Sequence, residues 1–484
     1  MNDRIIRRIR MTPKRTAAAL LCVLMVVFSG CSMTSPVHAT TSPASSVSAS
    51  DITAESSSPS ASVPPQGTPG VAQIDTGDHE PVASLSALNQ EYAAYGSMTI
   101  AGMAGGDYDA AMAATWTEIE TPGSPAPLSV DLAELMDYKT IEQSIFNLGK
   151  YDGVDVFKIG ESELGRNIYM LKIGLPGEYA GDKPLLMLTG SVHAREFAGA
   201  EFTLKFLTDT LAKAQTDAYT RALLERVTIV AVPLVNPDGR ELIIAGGDPS
   251  RKSNANGVDL NRAMPAVNAG QLIAGASLPE NFSVTPGMDF FAGSRLGTES
   301  ETQAMMKWMS VFVPQASAYI DLHQQGGVMF YNKPFTSSES DDACFEFAQS
   351  VNDLLDGGYR PKKEDAEYSI NGDGGTMTDY ARSISEGFVF SYRLGRMALL
   401  MDGVETPLIS FGDIDKYMDF YHPVNRDFLC MTIEIGRKPT YLGASEDARE
   451  RRADEYEEYG WRGFLTGTIE ILLGEETVDH LHTN

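Results

Sequence analysis

Cysteine is scarce in this chain, with four in 484 residues. Cys22 and Cys31 lie in or just after an apolar N-terminal run, which leaves Cys344 and Cys430 for the body of the protein. That pair allows one disulfide or two buried thiols. Cys430, inside the apolar pattern Phe428-Leu429-Cys430-Met431, favours thiols. Positive charge is short as well: 38 Lys and Arg stand against 65 Asp and Glu, a formal net charge of -27. Such a balance repels a phosphate backbone and argues against nucleic acid as a partner. No internal repeat is apparent, and the apolar run over 17–28 is too short to span a bilayer. What is present, 43% hydrophobic and 21% charged residues, suits a soluble protein with a sizeable core.

The N-terminus is more decisive. Arg4, Arg7, Arg8, Arg10, Lys14 and Arg15 precede the apolar run, the pattern of a secretory signal. The run ends in Phe28-Ser29-Gly30-Cys31, which resembles a bacterial lipobox, although Phe28 is an imperfect fit. The expectation is a signal peptide over 1–30. Lipid on Cys31 would then anchor the protein at the bacterial cell surface, on the outer side of the cytoplasmic membrane. The alternative is a plain secreted protein. Residues 31–82, rich in Ser, Thr, Pro and Ala, read as a disordered tether. Residues 83–131 read as a linker or pro-segment, 132–475 as the globular domain and 476–484 as a tail.

Within 132–475 the apolar periodicity predicts a helix over 136–148, then strands over 154–159 and 167–173. Strand and helix then alternate: strand 183–188, helix 198–212, strand 226–234, helix 299–312, strands 317–322 and 328–331, helix 342–355, strand 429–435. The charged stretch 446–459 reads as a solvated helix face. This order implies an α/β fold, a mixed central β-sheet with helices on both faces.

Histidine is scarce too, seven in all, and two stand where apolar strands end. Residues 184–188 (PLLML) lead to His193-Ala194-Arg195-Glu196, and 316–320 lead to Asp321-Leu322-His323. Two imidazoles and a carboxylate, His193, Glu196 and His323, suit one catalytic zinc ion with an open fourth position. The plain alternative is a capping glutamate and two ordinary histidines. A zinc ion acidifies water and polarises a carbonyl, and a second carboxylate is still needed as base. Glu434, ionisable within the apolar run 431–435, fits that need; otherwise it is a strand-end carboxylate facing water.

Several motifs in order, from about Leu132 to Leu473, resemble the zinc carboxypeptidases of the carboxypeptidase A family. They are Gly160-Glu161-Ser162 with Gly165-Arg166, the His193–Glu196 segment, Asn236-Pro237-Asp238-Gly239, Gly257-Val258-Asp259-Leu260-Asn261-Arg262, Asp321-Leu322-His323 and Thr432-Ile433-Glu434-Ile435-Gly436. The resemblance implies hydrolysis of the C-terminal bond of a peptide with a free C-terminus. It implies Glu434 as catalytic base and Arg251 as donor to the oxyanion, although Arg251, beside Lys252, reads equally as a surface cation. Asn261 and Arg262 would hold the substrate carboxylate, since a planar guanidinium binds it with two parallel bonds. Arg195 would contact substrate or support the metal ligands. Tyr368 would be the mobile tyrosine before the Gly374-Gly375-Thr376 turn, with Tyr380 as the other candidate.

The chain also departs from the pattern. Ala263-Met264-Pro265 follows Arg262, Gln324 follows His323, and 393–426 reads as an insertion on the cleft rim. Met377, near the side-chain pocket, speaks weakly against a preference for Lys or Arg. Two rivals stand beside the carboxypeptidase reading: a peptidase for cell-wall stem peptides with the same zinc chemistry, and a surface binding protein without turnover.

Overall fold

Strands that are apolar without alternation must be covered on both faces, and the central strands here obey that rule. The computed structural model describes residues 116–126, 130–266, 283, 285–293, 296–332, 339–364, 375–391, 396–401, 404–407, 424–436 and 442–483. Residues 1–115, with Cys31 and the tether, lie outside the described residues, as do Tyr368 and residues 408–423.

In chain order the strands are β1 (Thr117–Glu118), β2 (Val154–Glu161), β3 (Asn167–Ile173), β4 (Leu185–Gly190), β5 (Thr228–Val232), β6 (Ala318–Gln324), β7 (Val328–Asn332), β8 (Arg360–Glu364), β9 (Phe388–Ser391), β10 (Arg396–Met401), β11 (Val404–Pro407) and β12 (Leu429–Ile435). Nine of them form one mixed sheet, ordered β1-β2-β3-β5-β4-β6-β12-β7-β8, and β11-β10-β9 form a small antiparallel one. The middle strands β5, β4, β6 and β12 run parallel.

The helices are α1 (Tyr138–Leu148), α2 (Phe197–Ala214), α3 (Ala218–Leu224), α4 (Pro237–Ile244), α5 (Ser300–Phe312), α6 (Glu339–Leu354), α7 (Met377–Ser385), α8 (Glu446–Glu458), α9 (Trp461–Leu473) and α10 (Glu475–Thr483). Among the described residues, no helix is long and apolar enough to cross a membrane. Leu186, Leu188, Ile229, Ala231, Ile320, Leu322, Met431 and Ile433 point into one core with α1, α2, α6 and α9. Their neighbours Leu185, Met187, Val230, Val232, Tyr319 and Cys430 point into a second core with α5 and α7. The expected layered α/β architecture is present.

Three local expectations change. Trp116 is buried and stacks on Phe312 at 5.8 Å, and β1 pairs with β2, so the folded region reaches upstream of Leu132. The expected tail is helical in α10. The charged helix α8 is only partly solvated: Arg452, Glu455 and Tyr456 are buried, because Arg452 Nε donates to buried Glu201 at 2.6 Å. The Asn-Pro-Asp-Gly turn opens α4, with Asn236 as N-cap and Pro237 in the first turn. Cys344 and Cys430 are both buried free thiols.

Candidate metal centre and active site

Parallel strands bring their C-terminal ends to one edge, and side chains two apart along a strand share a face. On β6, Asp321 and His323 point to the α5/α7 side, and on β12 Glu434 does the same. The β6/β12 register places Glu434 opposite His323, and the β4/β6 register places Thr189 opposite Asp321. After β4 the chain turns through Ser191, whose φ of 52° is unusual for a side-chain-bearing residue. Val235 N donates to Gly190 O and Asn236 N to Ser191 O, both at 3.1 Å, which pins the turn to the start of α4. Asp238 on α4 then accepts from Ser162 Oγ at 2.8 Å and from Arg166 Nη1 at 2.6 Å. Motifs far apart in sequence thus clamp the segment that carries His193 and Glu196.

These two meet His323 at one point. His193 Nδ1 lies 2.6 Å from Glu196 Oε1 and 3.2 Å from His323 Nδ1, and His323 Nδ1 lies 2.9 Å from Glu196 Oε2. One ligand atom from each of the three falls within 4.8 Å of the others, and all three residues are buried. The outer nitrogens face carboxylates: His193 Nε2 is 3.1 Å from Asp259 Oδ1, and His323 Nε2 is 2.8 Å from Asp321 Oδ2. Asp259 and Asp321 can each hold a proton on Nε2, which leaves both Nδ1 atoms, facing inward beside Glu196, to serve as metal ligands. That donor set fits a zinc ion.

The electrostatics agree. Burial alone would raise the Glu196 carboxyl, but His193 and His323 outweigh it and hold it well below the usual range. Burial opposes charge on His323, yet Asp321 and Glu196 push its pKa well above the usual value. Carboxylates that favour a proton there also favour a divalent cation. Glu434, partly open to the cleft, is pushed up to about 7 by removal from water and by Glu196.

Gln324, the unusual neighbour of His323, supports the same point. Its backbone N donates to Glu196 Oε2 at 3.1 Å, and its side-chain Oε1 accepts from Ala198 N at the start of α2, also at 3.1 Å. Glu196 is therefore free of capping duty although it stands at the N-cap.

The expected substrate residues line up unequally. Asn261 Oδ1 accepts from Met377 N at 2.8 Å, and its Nδ2 lies 3.5 Å from His323 Nε2. Arg262 stacks on Phe290 with 4.7 Å to the ring centre, and its Nη1 donates to Asn261 O at 2.6 Å. Gly375, at φ 86°, packs on the Arg262 carbonyl, where a Cβ would overlap it. Arg195 Nη1 donates to Ser250 O at 2.7 Å, and Arg195 lies 3.7 Å from Asp289. Arg251 differs from expectation: its guanidinium donates to the Ser253, Asn254 and Ala255 carbonyls of its own loop. Met377 and Tyr380 are buried in the core. Sequence reasoning did not assign Asp259, Asp321, Lys252 or Phe290. Only the aspartates carried a signal, standing two residues before Asn261 and His323.

The sequence profile of the zinc carboxypeptidase family matches residues 145–401, more than half of the chain. The chain belongs to that family. The human carboxypeptidase N catalytic chain is 29% identical over 243 residues, 44% of this chain and 49% of that protein. Carboxypeptidase B of Bos taurus is 27% identical over 180 residues, 36% of this chain and 40% of that protein. The chain thus spans about half or less of the length of these two relatives. A crystal structure of thrombin activatable fibrinolysis inhibitor aligns with TM-score 0.50 and 15% identity over 74% of this chain and 77% of that one, a likeness of fold. Glu434 lies beyond the matched residues and owes its place to the β6/β12 register.

Proposed function

We propose that this protein is a zinc metallocarboxypeptidase that hydrolyses the C-terminal peptide bond of peptides. The observation that carries the reading is the convergence of His193, Glu196 and His323, each imidazole backed by a carboxylate, with Glu434 in register beside them. A bound zinc ion would supply Lewis acidity at the substrate carbonyl and to the attacking water. Glu434 takes the proton that this water loses and returns it to the departing amine nitrogen. A carboxyl lifted to about 7 can do both near neutral pH. Arg262, held by Gly375 and Phe290, receives the terminal carboxylate, with Asn261 and Arg195 beside it. Charge on the carbonyl oxygen needs a cationic donor, and segment 248–252 carries two, Arg251 and Lys252. The sequence also supports lipid on Cys31 and a place at the bacterial cell surface; mass spectrometry of the mature N-terminus tests that separately.

The test is a peptide panel given to the zinc-loaded and the chelated protein, with Glu434→Gln alongside. Release of single C-terminal residues should require zinc and fall about 10²–10⁴-fold in Glu434→Gln while zinc stays bound. Equal cutting of peptides with blocked C-termini would refute the Arg262 assignment. Turnover of cell-wall stem peptides alone would move the substrate to that class.

A further inference from the structure

Two neighbouring cations compete for one task, and the structure separates them. Arg251 has its guanidinium spread over three carbonyls of its own loop. Those bonds fix the turn from Ser253 to Ala255, and they hold Nε and Nη2 of the guanidinium against the loop's own backbone. Lys252 is the opposite case. Its backbone O accepts from Ala194 N, inside the His193–Glu196 segment, at 2.9 Å. Its half-buried side chain makes no hydrogen bond or ion pair among the described residues. Its Nζ lies 5.5 Å from the ring centre of Phe290, whose ring is also in contact with Arg262.

Phe290 is placed with care. Its φ is 66°, a conformation that side-chain-bearing residues rarely adopt, and its N–H reaches Asp259 Oδ2 at 3.3 Å. One ring therefore fixes two cations of the cleft and is tied to the aspartate behind His193. The positive charge of Lys252 also reaches the site, as a minor influence favouring the ionised form of Asp259 and of Glu434, although burial leaves Glu434 raised.

We infer that Lys252, not Arg251, is the cation that meets the substrate carbonyl oxygen and takes up its developing negative charge. This rests on the carboxypeptidase reading. The lysine transfers no proton: as water oxygen bonds to the carbonyl carbon, the carbonyl π pair moves to oxygen beside the ammonium, and it returns when the C–N bond breaks. Arg251 is a positioning residue that shapes the loop presenting Lys252.

The experiment compares zinc-loaded wild type, Lys252→Ala, Lys252→Arg and Arg251→Ala. Each is measured for kcat and KM on the preferred peptide, for affinity towards a tetrahedral phosphonate peptide, for zinc content and for its unfolding transition. Lys252→Ala should lose about 10²–10³-fold in kcat with little change in KM. It should lose phosphonate affinity to a similar degree, with zinc content and unfolding as in wild type. Lys252→Arg should recover much of the loss, and Arg251→Ala should lower stability more than rate. A normal rate in Lys252→Ala, or a 10²-fold loss confined to Arg251→Ala with unfolding intact, overturns the inference and leaves the carboxypeptidase reading standing. A wild type that cuts no C-terminal bond sinks that reading instead. The phosphonate arm then still decides, because equal binding by wild type and Lys252→Ala overturns Lys252.

Discussion

An imidazole offers a metal whichever nitrogen lacks the proton, so the partner of the other nitrogen selects the ligand atom. Asp321 does this for His323 at 2.8 Å, and Asp321 is itself held by Thr189 Oγ1 at 2.6 Å. Asp321→Asn should weaken zinc affinity about 10–100-fold, measured by competition with a chromogenic chelator. Unchanged affinity would mean that Asn261, 3.5 Å from the same nitrogen, sets the ring instead. At this scale the sequence was most legible where a residue type leaves few options. His193, Glu196, His323 and Glu434 stood in ordered motifs, and the structure places them together. The choice between Arg251 and Lys252 was not legible, because adjacent residues in a loop can point to opposite sides. Phe290 gave no signal, since its importance comes from the contacts of its ring.

The first turn of α2 has to lie almost on the ends of β4 and β6 for Glu196 to reach His323. Gly199 permits it: a Cβ there would lie 2.5 Å from Ser191 N and 2.6 Å from Leu322 O. Both are backbone atoms and cannot move aside. Gly199→Ala should therefore cost about 1–3 kcal/mol in chemical denaturation and weaken zinc binding, because relief requires α2 to lift from the sheet. Loss of stability with normal zinc affinity would show that α2 does not set the ligand distance. Elements with strong patterns were read closely, β3 and β12 to the residue. The β4 prediction stopped two residues short because Thr189 and Gly190 look like loop residues, yet both faces of that strand end are covered. Helix α7 was missed although Thr376 and Asp379 form a capping box, a readable signal before the core residues Met377, Tyr380 and Ala381. The short β1 has too few residues to show any period.

A protein with 65 acidic residues must keep most of them in water, and the exceptions make its stability depend on pH. Glu299 and Glu301, at the start of α5, are buried beside Glu163. Asn254 Nδ2 donates to both, at 2.7 and 3.2 Å, which ties the loop that presents Lys252 to the α5 side of the sheet. Burial pushes Glu301 up to about 8; its own backbone N–H opposes the shift, and Glu163 and Glu299 add to it. Glu299 is raised in the same direction, first by burial. The unfolded chain releases the Glu301 proton near the ordinary 4.5, whereas the folded protein keeps it to about 8. Between those values the folded state binds more protons, so stability must fall as pH rises through the window and level off above it. Glu301→Gln removes the titration and keeps an amide in place of the protonated acid. At fixed zinc, the wild-type melting temperature should drop from pH 5 to pH 8 by clearly more than that of Glu301→Gln. The two curves should meet at the acid end and separate at the alkaline end. Parallel curves would mean that Glu301 is ionised in the folded protein and that its charge is balanced within the cluster. The sign matters for the site, because loosening this cluster at high pH would loosen the Asn254 loop while Glu434 is fully deprotonated and ready to act as base.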